Sequence, residues 1–464
     1  MTPTASTRRL APWGIACCAL LALPAAAAKT APVEGPVDDT VREVVKSLDA
    51  SHVERVPLER YALFALDALA DAESCLGRKG EAGALVLACG GASLRVAWPP
   101  TSADAVIQIV SNTLRLVDPA RKVKPERVKL VARALARAAG DPYTAYLPPE
   151  MVATILSSKP ALFAATPGLE VWPRDPTKIR EVRRGSDAAA SGIAPGDRIV
   201  AIDGQAASGM TLPEITTRLQ GADDSVVTLR LKTPQGERTE RVARALVAES
   251  EVMMQELEGG VLYARIPVFK SGVARTVAQA LWDGRPAGVI LDLRHNGGGL
   301  VPEGIALADL FLDEGLIAGV KGRGGRVTEE YQARKDSRSI GAPVVVLVDA
   351  GSASASELVS MALKESERAR LLGAQTSGKG SVQFQIQLPD GGVLKVTTGH
   401  YVGPEGRRLP EGGLEPHRFL SPPLGKTVLD GGDARRDGWV QAALDELRGS
   451  RKSEDLVRGP GPQP

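Results

Sequence analysis

The sequence predicts an α/β multidomain protein with a helical N-terminal region, a middle unit of short strands and a parallel-rich α/β core. Three observations carry that expectation. The chain has 464 residues, more than one ordinary hydrophobic core organises. Apolar residues recur at helical spacing over 41–73 (Val45, Leu48, Leu58, Tyr61, Leu66, Leu69) and again over 105–139. From 252 to 424, wholly apolar strands such as "AGVILDL" and "APVVVLV" alternate with helical stretches, as parallel strands buried on both faces do.

The N-terminus reads as an export signal over 1–28. Arg8 and Arg9 precede a mostly apolar Leu10–Leu23, and "LPAAAAKT" offers small residues for cleavage after Ala28. The apolar stretch is too short to span a membrane comfortably, so no stable span is expected after its removal. Residues 29–40, rich in Pro and Ala, read as a disordered linker. Without Arg8 and Arg9, the 57 basic residues fall to the same 55 as the acidic ones. A neutral mature chain has no bulk attraction to nucleic acid or an anionic membrane, and 4% aromatics is little for a base-stacking platform. The expected location is the periplasm or cell envelope. Cys17 and Cys18 lie in the leader. Cys75 and Cys89 remain, and in an oxidising compartment they are expected to pair, a loop closure worth roughly 3 kcal/mol.

Within the mainly helical region 41–150, "VPLERYALFALDALA" and "VKPERVKLVARALARAAG" are alike enough to suggest a duplicated helical hairpin. "GALVLACGGASLRVAW" between them alternates like a β-hairpin. "DPYTAYLPPE" makes a turn-rich junction into the middle unit, 151–250. There Gly192, Pro195, Gly196 and Gly204 punctuate a strand over Arg198–Ile202, Thr211 caps a helix, and "SVVTLRLKT" alternates. The core spans 251–425, and a C-terminal helix with a loose tail fills 426–464.

The chemistry centres on "VVVLVDAGSASASELVSMAL", Val344–Leu363, where three serines crowd a strand-to-helix turn. Ser354 and Glu357 fit a capping box, yet a hydroxyl at a helix start is also where backbone N–H groups meet a reacting carbonyl. A lysine can be the base for such a serine if burial keeps it neutral, below its usual ~10.4. Lys379, between Gly378 and Gly380 in "QTSGKGSVQ", is a candidate, because glycines let the backbone pack closely around a buried side chain. "DLRHNGGG", Asp292–Gly299, follows an apolar strand and can turn N–H groups toward an oxyanion; it lacks the Gly-Lys-Ser/Thr ending of a phosphate loop. No His-Glu-x-x-His is present, so zinc hydrolysis is not expected, and neither metal nor organic cofactor is implied.

"GSASASE", "GKGSVQ" with its lysine 25 positions after Ser354, "LPDGGVLKVTTGHY" and "GLEPH" together resemble the carboxyl-terminal processing peptidases. These are Ser-Lys proteases of family S41 with an inserted PDZ domain. The resemblance covers roughly 125–425, while 74–105 match nothing in the family. It implies a crotonase/ClpP-like β-β-α spiral for the core, with "GIAPGDRIVAIDG" the most PDZ-like piece. It implies Ser354 as nucleophile, Lys379 as general base and Gln383 as the residue orienting the lysine. The oxyanion hole would take the N–H of Ala355 and one from Gly298 or Gly299. Gly168, Leu169 and Val171 would bind the peptide. Partners implied are unfolded or C-terminally exposed polypeptides, with an adaptor or homo-oligomer possible. Two departures stand out: Asp349 where the family often has asparagine, and Gly168 alone where it often has spaced glycines. The rival readings are a catalytically inactive envelope scaffold binding peptide C-termini, and a Ser-His hydrolase in which His295 or His400 reaches Ser354.

Overall fold

The computed structural model describes residues 37–118, 123–157, 165–183, 186–222, 224–245, 252–334, 339–421, 427–430 and 432–458. The expected leader, most of the expected linker and the last residues of the tail lie outside this set.

Four helices, Val37–Ser51, Leu58–Ala72, Ala103–Val117 and Pro125–Ala138, bury one apolar face each around Leu48, Leu69, Val110, Leu114 and Leu135. Ser102 caps the third by accepting from the Ala105 N–H, and Pro125 opens the fourth, where its missing N–H costs nothing. The first helix begins inside the segment expected to be linker; Thr40 is already buried. The two similar segments are the second and fourth helices, and they pack on each other. Between the helix pairs stand three antiparallel strands, Gly77–Glu81, Ala84–Cys89 and Ala92–Ala97, rather than the two of a hairpin. The first of them, "GRKGE", is exposed throughout and carries no apolar alternation to read. Cys75 and Cys89 are bonded across this sheet, their Cα atoms 4.8 Å apart.

The core has two sheets. Six strands lie in the order Met253–Leu257, Val261–Arg265, Gly288–Asp292, Val344–Val348, Ala369–Gly373, Arg418–Phe419. All neighbours are parallel except the first pair. Helices Val273–Gly284, Val301–Asp309 and Ala355–Glu365 cover one face, and Gly438–Arg458 covers the other, which is why Gly288–Asp292 and Val344–Val348 are buried throughout. A second, antiparallel sheet runs Val327–Gln332, Leu316–Gly322, Val393–Val402, Ser381–Gln387. Ala145–Leu147, ahead of the middle unit, also pairs with Val393–Val402. The chain is thus already in the core sheet before the middle unit begins and returns to the core after it, so that unit is an insertion.

The inserted unit folds around its own core of Ile179, Ile199, Ile202, Ile215, Val227 and Leu229. Its sheet runs Gly236–Ala243, Val226–Thr233, Arg198–Ile202, Gln205–Ala206, with Leu169–Val171 pairing Ile179–Val182 beside it. Thr211 and Glu214 form a reciprocal capping box on the helix Leu212–Leu219.

Candidate active site

In parallel α/β sheets, ligands meet the loops beyond the carboxyl ends of the strands. Here Gly288–Asp292 runs into "LRHNGGG", Val344–Val348 into the serine turn, and Ala369–Gly373 into the segment holding Lys379. Neighbouring strands therefore deliver all three candidate motifs to one edge.

The three serines divide by environment. Ser352 is fully buried and donates to the Leu293 carbonyl at 2.8 Å, and buried Ser356 donates to the Asn296 carbonyl at 2.8 Å. Ser354 is partly open to solvent and sits at φ 56°, ψ −116°, a backbone conformation that side chains rarely adopt. The outer two hold the turn together, and the middle one is presented.

Glu357 joins the turn to the lysine segment. It is wholly buried, and its carboxylate accepts from the Ser354 N–H at 3.0 Å, the Lys379 N–H at 2.9 Å, the Gly378 N–H at 2.6 Å and the Thr376 hydroxyl at 2.5 Å. Burial pushes its pKa up against these four donors. One oxygen, Oε2, takes both the Ser354 and Lys379 N–H groups, which fixes the two backbones beside each other. The Ser-x-x-Glu capping pattern is the sequence signal for this residue, but it says nothing of the lysine segment 22 positions on. Both glycines flanking Lys379 are sterically required. A Cβ on Gly378 would lie 2.1 Å from the Glu411 carbonyl oxygen, and one on Gly380 2.7 Å from the Leu409 Cβ.

Asn296 is a second organiser that the sequence reading passed over. Fully buried, it donates from Nδ2 to the Ile266 carbonyl, and its own carbonyl accepts from the Ala353 N–H and the Ser356 hydroxyl. Its Oδ1 accepts the Gly298 N–H at 2.9 Å. That corrects the expectation for Gly298: its N–H is occupied inside the loop, and what it supplies is space. A Cβ there would lie 2.8 Å from the Ser354 Cβ and 3.0 Å from the Ala355 nitrogen. Gly299 packs on Phe269, where a Cβ would fall 2.2 Å from the Phe269 carbonyl oxygen. Gln383 lies on the strand Ser381–Gln387 and donates to the Ser381 hydroxyl at 2.6 Å, not to Lys379.

Among the described residues, neither His295 nor His400 hydrogen-bonds Ser354. His295 Nδ1 lies 2.8 Å from Asp349 Oδ2 and 3.4 Å from Glu181 Oε1. His400 lines a cleft with Tyr143, Arg174, Gly380 and Glu411, and burial pulls its pKa down.

The inserted unit sits against this edge. Arg180 donates to the Ser377 carbonyl at 3.2 Å and its hydroxyl at 3.3 Å, Glu181 faces His295, and Arg174 pairs with Glu411. In the unit itself, Gly168 has φ 83°, and a Cβ would strike Ser186 at 2.4 Å. Its own N–H is taken by the Thr166 hydroxyl at 3.2 Å. Leu169 and Val171 are buried in the unit's core, so their side chains do not line an open pocket; among the described residues their strand pairs on one edge only.

The peptidase family S41 model matches residues 260–418, and a PDZ domain model matches 178–233. A carboxyl-terminal-processing protease of Picosynechococcus is 33% identical over 338 residues, covering 70% of this chain and 80% of the relative. The chain belongs to peptidase family S41. The C-terminal processing peptidase of Tetradesmus obliquus chloroplasts is 32% identical, with 64% of this chain and 69% of the relative covered. Among solved structures, the photosystem II D1 C-terminal processing protease superposes with a TM-score of 0.63 at 24% identity, covering 83% of this chain and 93% of that one. That superposition speaks for the fold: N-terminal helices, a PDZ domain and an S41 core. The protein is a serine-type peptidase, and among the described residues no helix is long and apolar enough to cross a membrane.

Proposed function

We propose that this S41 peptidase is exported and uses a Ser354–Lys379 dyad to cleave polypeptides recognised by their C-terminal region. The observation that carries the dyad is the shared Glu357 oxygen, which holds the Ser354 and Lys379 backbones together at the carboxyl edge of the parallel sheet. Ser354 attacks the scissile carbonyl as Lys379 accepts its proton, giving a tetrahedral oxyanion beside the Ala355 N–H at the start of a helix, where negative charge is favoured. Collapse expels the amine, which takes the proton from Lys379. Water, deprotonated in turn by Lys379, hydrolyses the acyl-enzyme.

Recognition is assigned to the PDZ domain, which would take a substrate C-terminus as a strand added to the open edge of Leu169–Val171. Export rests on the sequence of residues 1–28.

The test is incubation of the mature protein with unfolded polypeptides, beside Ser354→Ala. Cleavage by wild type alone is expected. Equal peptide binding by both proteins with no cleavage by either, across a broad pH range, would establish the scaffold instead.

A further inference from the structure

Where the family often has asparagine before the serine turn, this chain has Asp349, and it does not face solvent. It is one end of a three-residue bridge running from the protease core into the PDZ domain. Asp349 Oδ1 accepts from the His295 N–H at 2.8 Å and the Gly351 N–H at 3.0 Å, and the Asp349 N–H donates to the Ser352 hydroxyl oxygen at 2.9 Å. Its Oδ2 faces His295 Nδ1 at 2.8 Å, and Glu181 Oε1 of the PDZ strand Ile179–Val182 stands 3.4 Å from the same nitrogen. Glu181 Oε2 is buried with no hydrogen-bond partner. Gly351, three residues before Ser354, leaves room for the ring: a Cβ there would lie 2.9 Å from both His295 Cα and Nδ1. His295 holds a left-handed φ of 53°.

We propose that His295, as an imidazolium, is a positioning residue that clamps the PDZ domain to the nucleophile turn through Glu181 and Asp349. The inference rests on Ser354 being the nucleophile only for its kinetic consequence; the clamp itself is a property of domain docking. The charges around the ring support it. Asp349, Glu181 and, further off, Glu170 face His295, while Arg180 and Arg183 act on Glu181 and Arg294 acts on Asp349. Burial alone would lower the histidine pKa; the carboxylates override it and push it up to about 9. Burial and Asp349 raise that of Glu181; burial would raise that of Asp349 too, but the His295 charge and hydrogen bonds hold it down. A raised histidine pKa means the clamp is present below the ordinary 6.5 and is lost as pH rises through about 9.

The test uses the full chain with a chelator present, because one imidazole and two carboxylates are also donors a zinc ion could use. Small-angle scattering in a Ser354→Ala background is expected to show the particle expanding with a midpoint near pH 9. His295→Asn, which tolerates the left-handed backbone, and Glu181→Gln, which leaves the Asp349 pair in place, should be expanded already at pH 7 and lack that step. In active protein, the ratio of wild-type to His295→Asn kcat should be at least about fivefold at pH 7 and approach one above pH 10. Taking the ratio cancels any pH dependence that the two proteins share. Identical scattering for wild type and both variants overturns the clamp, as does a pH-independent kcat ratio, including one accompanied by a lower Tm. Cleavage by Ser354→Ala would instead overturn the dyad and leave the scattering result to judge the clamp.

Discussion

Lys379 carries no acidic residue within several positions of sequence, and its flanking glycines are pressed against Glu411 and Leu409. Lys379→Ala is expected to lower kcat by about 10²–10⁴ with the fold retained, since a serine hydroxyl needs a proton acceptor. Lys379→Arg should be equally inactive, because a guanidinium does not deprotonate near neutrality. Circular dichroism beside peptide cleavage checks both; substantial activity in the arginine variant removes Lys379 from the mechanism. Glu357 makes a sharper test of how the site is assembled. Glu357→Gln puts an NH₂ among four donors, leaving at least one buried group unsatisfied at about 1–3 kcal/mol. A fall in both Tm and kcat is expected, with Thr376 and the Lys379 segment exchanging amide hydrogens faster. Unchanged exchange there would mean that Glu357 caps the helix and does nothing for the lysine.

At the scale of elements, the end of the first helix is bound to the core by an ion pair whose aspartate lines the cleft beside Gly378 and Gly380. His52, buried, sets Nε2 at 2.9 Å from Asp141 Oδ2 and Nδ1 at 2.9 Å from the Glu54 carbonyl. Asp141 also accepts from the Tyr143 and Thr144 N–H groups and the Thr397 hydroxyl on the core strand. Burial pulls the histidine pKa down, but these partners raise it above 6.5 overall; the same bonds hold Asp141 well below the usual carboxylate range despite its burial. The histidine contribution is complete below pH 6.5 and is lost as pH rises through its folded pKa. The aspartate contribution is complete above 3.8 and is lost as pH falls toward its own. His52→Ala should therefore cost about 1.5–3 kcal/mol near pH 5 and less at pH 9, read by urea denaturation. An equal loss at both pH values would show that only packing is involved. The buried Arg294 plays the corresponding part for the last helix, bonding Asp292 on the sheet and Asp437 just before Gly438–Arg458. "DLR" is visible in the sequence as a strand end, but Asp437 is 143 positions away, so the pair exists only once the sheet and helix have packed.

For the molecule as a whole, the insertion of the PDZ domain between two core strands makes its docking a property of the folded chain. Full-length Ser354→Ala is expected to bind peptides with a free apolar C-terminus and to lose them on amidation, measured by fluorescence anisotropy, because backbone N–H groups of the PDZ domain would no longer meet a carboxylate. With Gly168 already bonded to Thr166, those donors must come from elsewhere on the Leu169–Val171 edge or from a rearranged loop. Indifference to amidation would remove C-terminal capture from the function.

By itself the sequence determined the helix-rich start, the alternating core, the serine turn and the lysine between glycines. These depend on local periodicity, on glycine's conformational freedom and on motifs whose residues lie close together in the chain. It could not show which of three clustered serines is presented, since that depends on Leu293 and Asn296 arriving from another strand to hold Ser352 and Ser356. Nor could it show that Gly298 serves by being small, that Gln383 turns to Ser381, or that Asp349 looks across a domain boundary to His295 and Glu181. Each of those is a long-range contact, and only the packing of the parallel strands, which brings their carboxyl ends to one edge, decides it.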